Sequence, residues 1–317
     1  MNSVLSISAR TDESGALVLG TPKDAPPDAV IRYCYPWDGP RLLFIQGEYL
    51  APIEPIPGAE IRFRLFLRRR AISDVQSWVF DGDADFPPTT MIPRTQNRDF
   101  TAYDWSSRHR AVCELARKRK PRLILFGDSI THFWGGDPVD PPLLDYLRMA
   151  PDRWDACMGA WSHVNMGFGN DRIENMLWRV LHGELDYADP HALCCLLIGT
   201  NNFAVNTNED MTRGIEHLCQ AILQKLPEGK ILIQGIYPRG DLGSDLRERM
   251  NALNDEWGKL AIIDGRQIFF HDTGCCLLLP GGMIREGVSR DGIHPSREGY
   301  ELIAQELHPV LRELMKL

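Results

Sequence analysis

The stretch Arg122-Leu-Ile-Leu-Phe-Gly-Asp-Ser-Ile-Thr131 decides how the rest of the chain is interpreted. Its apolar residues 123–126 predict a short buried strand, which Gly127 ends. Ser129 follows where the next segment can begin a helix, so its hydroxyl is expected to lie exposed beside a helix N-terminus that favours negative charge. Enzymes with a nucleophilic serine place it on such a turn. Gly-Asp-Ser by itself, however, more often marks an ordinary capped turn.

Strand patterns alternate with helical patterns after this stretch. Residues 193–198 are a continuous apolar run, typical of a strand buried on both faces of a parallel sheet, and residues 231–236 predict the next such strand. Residues 164–166 and 261–263 are shorter strand candidates. Helical patterns cover residues 104–120, 143–149, 171–181, 207–226, 245–260 and 296–314. The alternation predicts an α/β fold in which helices flank a parallel sheet and the site lies beyond the carboxyl ends of its strands.

The first part of the chain differs, because it shows short strand patterns and no convincing helical period. Strands are predicted at residues 4–7, 16–19, 41–45 and 61–68. The last of them nearly alternates apolar and polar side chains, as a half-buried strand does. We therefore expect a small β-rich, sandwich-like domain over residues 1–95, a proline-rich linker at 83–96, and a second domain over 96–317.

Composition argues against several classes of function. The chain of 317 residues has a formal net charge of −8, whereas a nucleic-acid partner would need a basic face. No apolar run approaches the length that spans a membrane and no secretory signal is seen, so we expect a cytoplasmic protein without membrane contact. The 8 cysteines include no Cys-x-x-Cys, which indicates reduced, mostly buried thiols. No metal, nucleotide or flavin motif is present, so no cofactor is expected.

Further polar segments are expected at the same edge of the sheet as Ser129. They are Gly167-Phe-Gly-Asn-Asp171, Gly199-Thr-Asn-Asn202 and Asp291-Gly-Ile-His294. Each alone is typical of an ordinary turn or helix start. Together they supply what a nucleophilic serine needs, because His294 can act as a base and Asp291 can orient it. The loops with Asn170 and Asn201 can donate hydrogen bonds to an oxyanion.

In this order, the segments resemble the conserved blocks of the SGNH (GDSL-type) esterase superfamily. The stretch Asn165-Met-Gly-Phe-Gly-Asn-Asp-Arg172, with His182-Gly-Glu-Leu-Asp186 after it, looks most like the platelet-activating-factor acetylhydrolase catalytic-subunit-like branch. The resemblance covers residues 101–317. It implies a flavodoxin-like three-layer sandwich, a small acyl pocket and a homodimer.

The resemblance assigns roles to the segments. It implies that Ser129 attacks an ester carbonyl, and that His294 takes the serine proton and later delivers it to the leaving alcohol. Asp291 would hold the imidazole in the right tautomer. The implied oxyanion donors are the backbone N–H of Ser129, a backbone N–H at Gly169 or Asn170, and the side-chain amide of Asn201.

One position departs from the family pattern. The family usually has glycine immediately before the aspartate of the second block, where this chain has Asn170. The backbone N–H survives this change and asparagine tolerates unusual φ values. We therefore expect the donor to be kept and the shape of the acyl pocket to change.

The sequence thus predicts a serine esterase for short acyl, chiefly acetyl, esters of a small soluble alcohol such as an acetylated saccharide. Alternatives within the superfamily are a lysophospholipase or a thioesterase. A metallophosphoesterase could use Asp128, Asn201, Asp291 and His294 as ligands, but Gly-Asp-Ser-Ile lacks the histidine of Gly-Asp-x-His. The last alternative is a non-catalytic carbohydrate-binding protein on a degenerate scaffold. Aromatics that would stack on sugars, unless they pack in a core, are Tyr33, Tyr35, Trp37, Trp78, Trp134, Trp161 and Phe168.

Overall fold

The computed structural model of the protein describes residues 5–38, 46–84, 86–139 and 147–316, the side chains of 262–264 excepted. The predicted strand at 41–45 and most of the predicted helix at 143–149 lie outside these ranges. The chain divides into two compact units. They comprise Met1–Pro87 with Arg94–Phe100, and Pro88–Pro93 with Thr101–Leu317.

Antiparallel sheets form the first unit. Its strands are β1 (Ser8–Thr11), β2 (Leu17–Gly20), β3 (Ala29–Cys34), β4 (Glu60–Leu67), β5 (Arg70–Ala71) and β6 (Gln76–Val79). Strand β1 pairs with β2, while β4 pairs with β3, β5 and β6. Ile61, Phe63 and Leu65 of β4 are buried, as the alternating pattern of this segment predicts. The β-rich character is confirmed, although the first strand starts after the predicted 4–7 segment.

A parallel sheet organises the second unit. Its strands are β7 (Leu123–Gly127), β8 (His163–Gly167), β9 (Leu193–Leu197), β10 (Lys230–Gln234) and β11 (Ile268–His271). They lie in the order β11-β10-β9-β7-β8, all parallel. The chain moves outward from β7 to β8 and then returns to the other side of β7, so the winding direction reverses between β7 and β9. Such a switch point opens a crevice at the carboxyl ends of the two strands.

Helices cover this sheet, which confirms the predicted architecture. They are α1 (Trp105–Arg119), α2 (Ser129–Trp134), α3 (Pro151–Met158), α4 (Ile173–Leu181), α5 (Asn208–Lys225), α6 (Asp245–Asp264) and α7 (Arg297–Leu314). Trp154 of α3 and Tyr300 of α7 share one buried cluster with Leu125 and Leu197 of the sheet. Helix α1 packs on β8, and α6 packs on β11. In the part of the chain that the structure describes, no helix has both the length and the apolar character needed to cross a bilayer.

The strand predicted at residues 261–263 is wrong. These residues belong to the end of α6, which stops at Gly265 in a left-handed conformation with φ of 62°. The last strand is β11, which begins only at Ile268. An apolar triplet is too short to show a helical period, so it has the same pattern in a helix end as in a short strand.

The segment predicted as a proline-rich linker, residues 83–96, is not extended throughout. Thr89–Met91 form one turn of 3-10 helix. The Thr90 hydroxyl donates to the Asp210 carbonyl at 2.6 Å, and the Asn206 amide donates to the Thr89 hydroxyl at 2.8 Å. Proline fixes φ without preventing a single tight turn, and Pro88–Pro93 belong to the second unit.

The cysteines agree with the expected reduced state. All 8 lie within the described residues and are free thiols. Cys194 and Cys195 are fully buried in the central strand β9, whereas Cys275 is exposed.

Candidate active site

The turn after β7 places Ser129 at the first position of α2, as predicted. Asp128 caps the helix, because its carboxylate accepts a hydrogen bond from the Ile130 N–H at 2.9 Å. Position 127 requires glycine, since a Cβ there would lie 1.9 Å from the Thr131 hydroxyl oxygen. Ser129 is only 6% exposed, which is less than the sequence suggested. The turn therefore holds the serine at a helix N-terminus, where it is almost fully buried.

Ser129, His294 and Asp291 form one hydrogen-bonded chain. The Ser129 Oγ lies 2.8 Å from His294 Nε2, and His294 Nδ1 lies 2.7 Å from Asp291 Oδ2. With the proton on Nδ1, the ring donates to Asp291 and accepts from the serine hydroxyl. The fold thus brings together two segments separated by 165 positions in the sequence.

The loop before α7 carries both His294 and Asp291. The second carboxylate oxygen of Asp291 accepts hydrogen bonds from the N–H groups of Ile293 at 3.1 Å and His294 at 2.8 Å. Burial opposes ionisation of Asp291, but the hydrogen bonds from His294 and Ile293 outweigh it and hold its pKa below the ordinary value. An ionised Asp291 keeps the imidazole in the tautomer that can accept a serine proton.

The second predicted segment makes a sharp turn after β8. Asn170 has φ of 60°, in the left-handed region that favours glycine and that asparagine tolerates, as expected. The Gly169 N–H donates to His132 Nδ1 at 3.3 Å, and the Gly169 carbonyl accepts from the Tyr103 hydroxyl at 2.8 Å. Because the Gly169 N–H points at His132, the prediction of Gly169 as an oxyanion donor is not supported. The proposed donor of this segment is therefore Asn170.

The third predicted segment, after β9, is hydrogen-bonded to the second. The Asn201 side-chain amide donates to the Asp171 carbonyl at 2.9 Å, and Arg172 Nε donates to the Asn201 carbonyl at 3.0 Å. A primary amide carries two N–H donors, so one fixes the orientation of Asn201 and the second can serve an oxyanion. Asn202 reinforces the link, because its side-chain oxygen accepts from the Ile173 N–H at 3.1 Å.

A buried ion network below these loops was missed by the sequence reasoning. Arg179 donates to Asp171 at 2.9 Å and to Glu184 at 2.7 Å, and all three side chains are 0% exposed. His109 Nδ1 lies 2.9 Å from the other Glu184 oxygen. Burial disfavours every charge here, but their mutual attraction outweighs it, raising the pKa of Arg179 and lowering that of Glu184. The network fixes Asp171, which directly follows the left-handed turn.

Two more buried titratable groups adjoin the proposed nucleophile. Burial raises the pKa of Asp128 to about 7, opposed by the hydrogen bond from the Ile130 N–H and by the Arg239 charge and assisted by the Asp171 charge. Burial, assisted by the charges of Arg108 and Arg179, holds the pKa of His132 well below its ordinary value. A neutral His132 can accept the Gly169 N–H through Nδ1, so its role is to position that loop.

Aromatic side chains near the site pack inside the protein. Trp134 is buried and stacks on Tyr300. Phe168 is 0% exposed, with the Arg179 guanidinium 4.0 Å from its ring centre. Core packing is therefore confirmed for Trp134 and Phe168. Among the described residues, no group of three or more His, Cys, Asp or Glu side chains could hold a metal ion.

Known proteins resemble this chain in sequence. A family model described as GDSL-like lipase/acylhydrolase matches residues 125–302, which include Ser129, Asn201 and His294. Platelet-activating factor acetylhydrolase IB subunit alpha1 of Homo sapiens is 26% identical over 211 residues, covering 67% of this chain and 84% of that protein. The alpha2 subunit of Homo sapiens is 26% identical over 212 residues, covering 67% of this chain and 85% of that protein.

Solved structures share the fold. A candidate acylhydrolase from Bacteroides fragilis matches with a TM-score of 0.54 and 18% identity, over 67% of this chain and 99% of that one. A GDSL-like lipase from Bacteroides thetaiotaomicron matches with a TM-score of 0.52 and 16% identity, over 67% of this chain and 100% of that one. These likenesses confirm the predicted parallel-sheet architecture flanked by helices.

Proposed function

The chain belongs to the GDSL-like lipase/acylhydrolase family, and on that premise we propose that it is a serine esterase for short acyl esters, chiefly acetyl esters. One observation carries the proposal. Ser129, His294 and Asp291 are linked by hydrogen bonds of 2.8 and 2.7 Å in the order that nucleophilic catalysis requires. A merely structural turn would not need a histidine and an aspartate from a distant loop at the serine hydroxyl.

The reaction would proceed through an acyl-enzyme. Ser129 Oγ attacks the ester carbonyl while His294 Nε2 takes its proton, which gives a tetrahedral oxyanion and an imidazolium paired with Asp291. Collapse of this intermediate breaks the bond to the alcohol, which leaves with the proton from His294. Water then attacks the acyl group, His294 takes its proton, and the acid is released as the proton returns to Ser129.

The oxyanion would be bound by fixed donors. These are the backbone N–H of Ser129 at the start of α2, the backbone N–H of Asn170 and the side-chain amide of Asn201. Donors that are already oriented before the reaction stabilise the developing charge without reorganisation. The hydrogen bond from Asn201 to the Asp171 carbonyl supports this role, because it holds the amide in place.

The acyl half of the substrate follows from the relatives. Those quoted above are acetylhydrolases by name, which supports an acetyl group here as well. For the alcohol half we propose a small soluble molecule such as a saccharide. Trp134 and Phe168 are buried, so their rings are not open to stack on a sugar. They therefore give no support to a saccharide substrate.

Acetate release from aryl acetates and acetylated saccharides tests the proposal. We expect turnover by the wild type and a loss of about a millionfold in kcat for Ser129→Ala, since the nucleophile is removed. Ser107→Ala, at the start of α1, is the control serine and should retain activity. Activity that survives Ser129→Ala but disappears with a chelator would favour a metal-dependent phosphoesterase or esterase instead. Glycan binding without turnover by the wild type would favour the non-catalytic alternative.

A further inference from the structure

The loop after β10 carries an arginine, Arg239, on a rigid support. Asn254 clamps the start of this loop, because its side chain accepts from the Ile236 N–H at 2.9 Å and donates to the Ile236 carbonyl at 3.2 Å. Arg247 holds its end by donating to the carbonyls of Arg239 at 3.2 Å and Gly240 at 2.9 Å. The backbone of Arg239 is therefore fixed before any ligand binds.

The guanidinium of Arg239 has few partners of its own. Its Nη2 donates to the Thr200 carbonyl at 3.2 Å, and its central carbon lies 5.8 Å from the Phe203 ring centre. Its Nε is buried without a hydrogen-bond partner. The Asp128 carboxyl attracts its charge, but no carboxylate among the described residues lies within ion-pair distance of it, and burial raises the pKa of Asp128 to about 7. By contrast, the neighbouring Arg247 and Arg249 each donate three hydrogen bonds to nearby oxygens.

A half-buried cation that forms no ion pair is unfavourable unless an anion binds to it. Burial lowers the pKa of Arg239, which reflects the loss of water around the charge. A guanidinium has five N–H donors in a planar fork that matches a carboxylate or a phosphate. In Arg239, Nε is buried and one Nη2 donor is used by Thr200, so the remaining donors at the Nη end are available to an anion.

Arg239 lies at the edge of the sheet that carries the proposed nucleophile. Strand β9 separates β10 from β7, so the loops after β10 and β7 are about two strand spacings, roughly 10 Å, apart. The Thr200 carbonyl that anchors Arg239 immediately precedes Asn201, the proposed oxyanion donor. An anion at Arg239 would thus be separated from an ester held at Ser129 by about the length of one benzene ring.

We propose that Arg239 binds an anionic group, a carboxylate or a phosphate, carried by the ester substrate. This inference rests on the proposed esterase function and narrows its substrate class to acidic esters. Arg239 would act on specificity, because it lies away from the bonds that break and form.

A matched pair of esters tests this inference. The probes are 4-acetoxybenzoate and its neutral methyl ester, with 4-acetoxyphenyl phosphate as the phosphate arm. The measured quantity is the ratio of kcat/KM for the anionic ester to kcat/KM for the neutral one. We expect Arg239→Met to lower this ratio by about tenfold or more, mainly through KM, because a charged hydrogen bond is lost. The anionic ester that shows the larger effect tells whether Arg239 prefers a carboxylate or a phosphate.

Control variants separate a local effect from general electrostatics. Arg312→Met removes the same charge from an exposed position on α7 and should leave the ratio unchanged. Arg239→Lys keeps the charge without the fork and should lie between wild type and Arg239→Met. Thermal unfolding shows whether each variant is folded.

The outcomes are distinct. An unchanged ratio in a folded Arg239→Met, or an equal fall in Arg312→Met, overturns the inference. A wild type that hydrolyses neither ester overturns the proposed esterase function instead.

Discussion

The two halves of the proposed site are held in different ways. The buried framework, which we define as Asp128, Asp171, Arg179 and Glu184, is at most 1% exposed. The base loop, which we define as residues 287–296, carries Asp291 with a side chain that is 43% exposed. The comparison shows that a desolvated ion network fixes the loop of the proposed oxyanion donor, whereas the proposed base lies on a surface loop. Geometry that must not change is buried, and the group that exchanges protons keeps contact with solvent.

The largest expected effect is the loss of activity when the base loop loses its imidazole. His294→Ala should lower kcat by about 10^5- to 10^6-fold, because Ser129 then has no proton acceptor. The free energy of unfolding of His294→Ala should change by less than about 1 kcal/mol, since the imidazole is near the surface. Ester hydrolysis and urea unfolding measure the two effects. His191→Ala, on an exposed ring, is the control. A stability loss in His294→Ala as large as that of a framework variant would contradict the comparison.

The second effect concerns the framework and should appear in stability. Arg179→Met leaves Asp171 and Glu184 buried without their cation, so the free energy of unfolding should fall by about 3–5 kcal/mol. Lys225→Met breaks an ion pair between side chains that are 36% and 48% exposed. It should cost less than about 1 kcal/mol. Equal losses in the two variants, measured by urea unfolding, would show that the network is not needed for the fold.

A third effect concerns the pH dependence of stability in the two halves. Burial raises the pKa of Asp128 to about 7, so its contribution to stability is present at acidic pH and lost as the pH rises through that value. Asp128→Asn removes this titration. Between about pH 4 and pH 8, the free energy of unfolding of the variant should rise by up to about 4 kcal/mol relative to that of the wild type.

Asp291→Asn provides the opposite sign. The pKa of Asp291 is lowered, so its contribution is present above the unfolded-state pKa and lost as the pH falls through the folded value. Relative to the wild type, this variant should therefore be least stable near neutral pH. Urea unfolding across the pH range measures both variants. The same trend in both would remove the distinction between the two halves.

The smallest effect is expected at Asn170, where the framework meets the substrate. Asn170→Gly keeps the left-handed turn and removes a side chain, so it should change the ratio of octanoyl to acetyl ester hydrolysis by a few-fold. Turnover of the acetyl ester should change less. Asn170→Ala is the comparison, because alanine also lacks the amide but adopts φ of 60° only with strain. Identical acyl profiles in wild type and Asn170→Gly would show that this side chain does not shape the pocket.

Much of the fold could be predicted from the sequence, because its signals are local. Continuous apolar runs marked β7 and β9, and the helical pattern at residues 207–226 marked α5. The candidate triad came from the joint occurrence of four polar segments and from their resemblance to the SGNH blocks. The strand, helix and turn signals each depend on residues that are near one another in the chain.

The buried framework could not be predicted in this way. Its partners come from different elements, and a charged residue in a sequence gives no direct sign of burial. One signal was present, since Arg179 lies between Trp178 and Val180 in a helix that is apolar on most of its surface. The role of His132 was equally hidden, because its contact with Gly169 exists only once β8 lies beside β7.

The distribution of cysteines allows unfolding of the native chain to be followed by thiol labelling. Burial raises the pKa of the Cys194 and Cys195 thiols in the central strand, which makes them unreactive while the sheet is intact. Cys275 is exposed. An alkylating reagent followed by mass spectrometry would label Cys275 in the folded protein and count Cys194 and Cys195 only after the sheet separates. The rate at which Cys194 and Cys195 are labelled measures the rate of unfolding without an introduced probe.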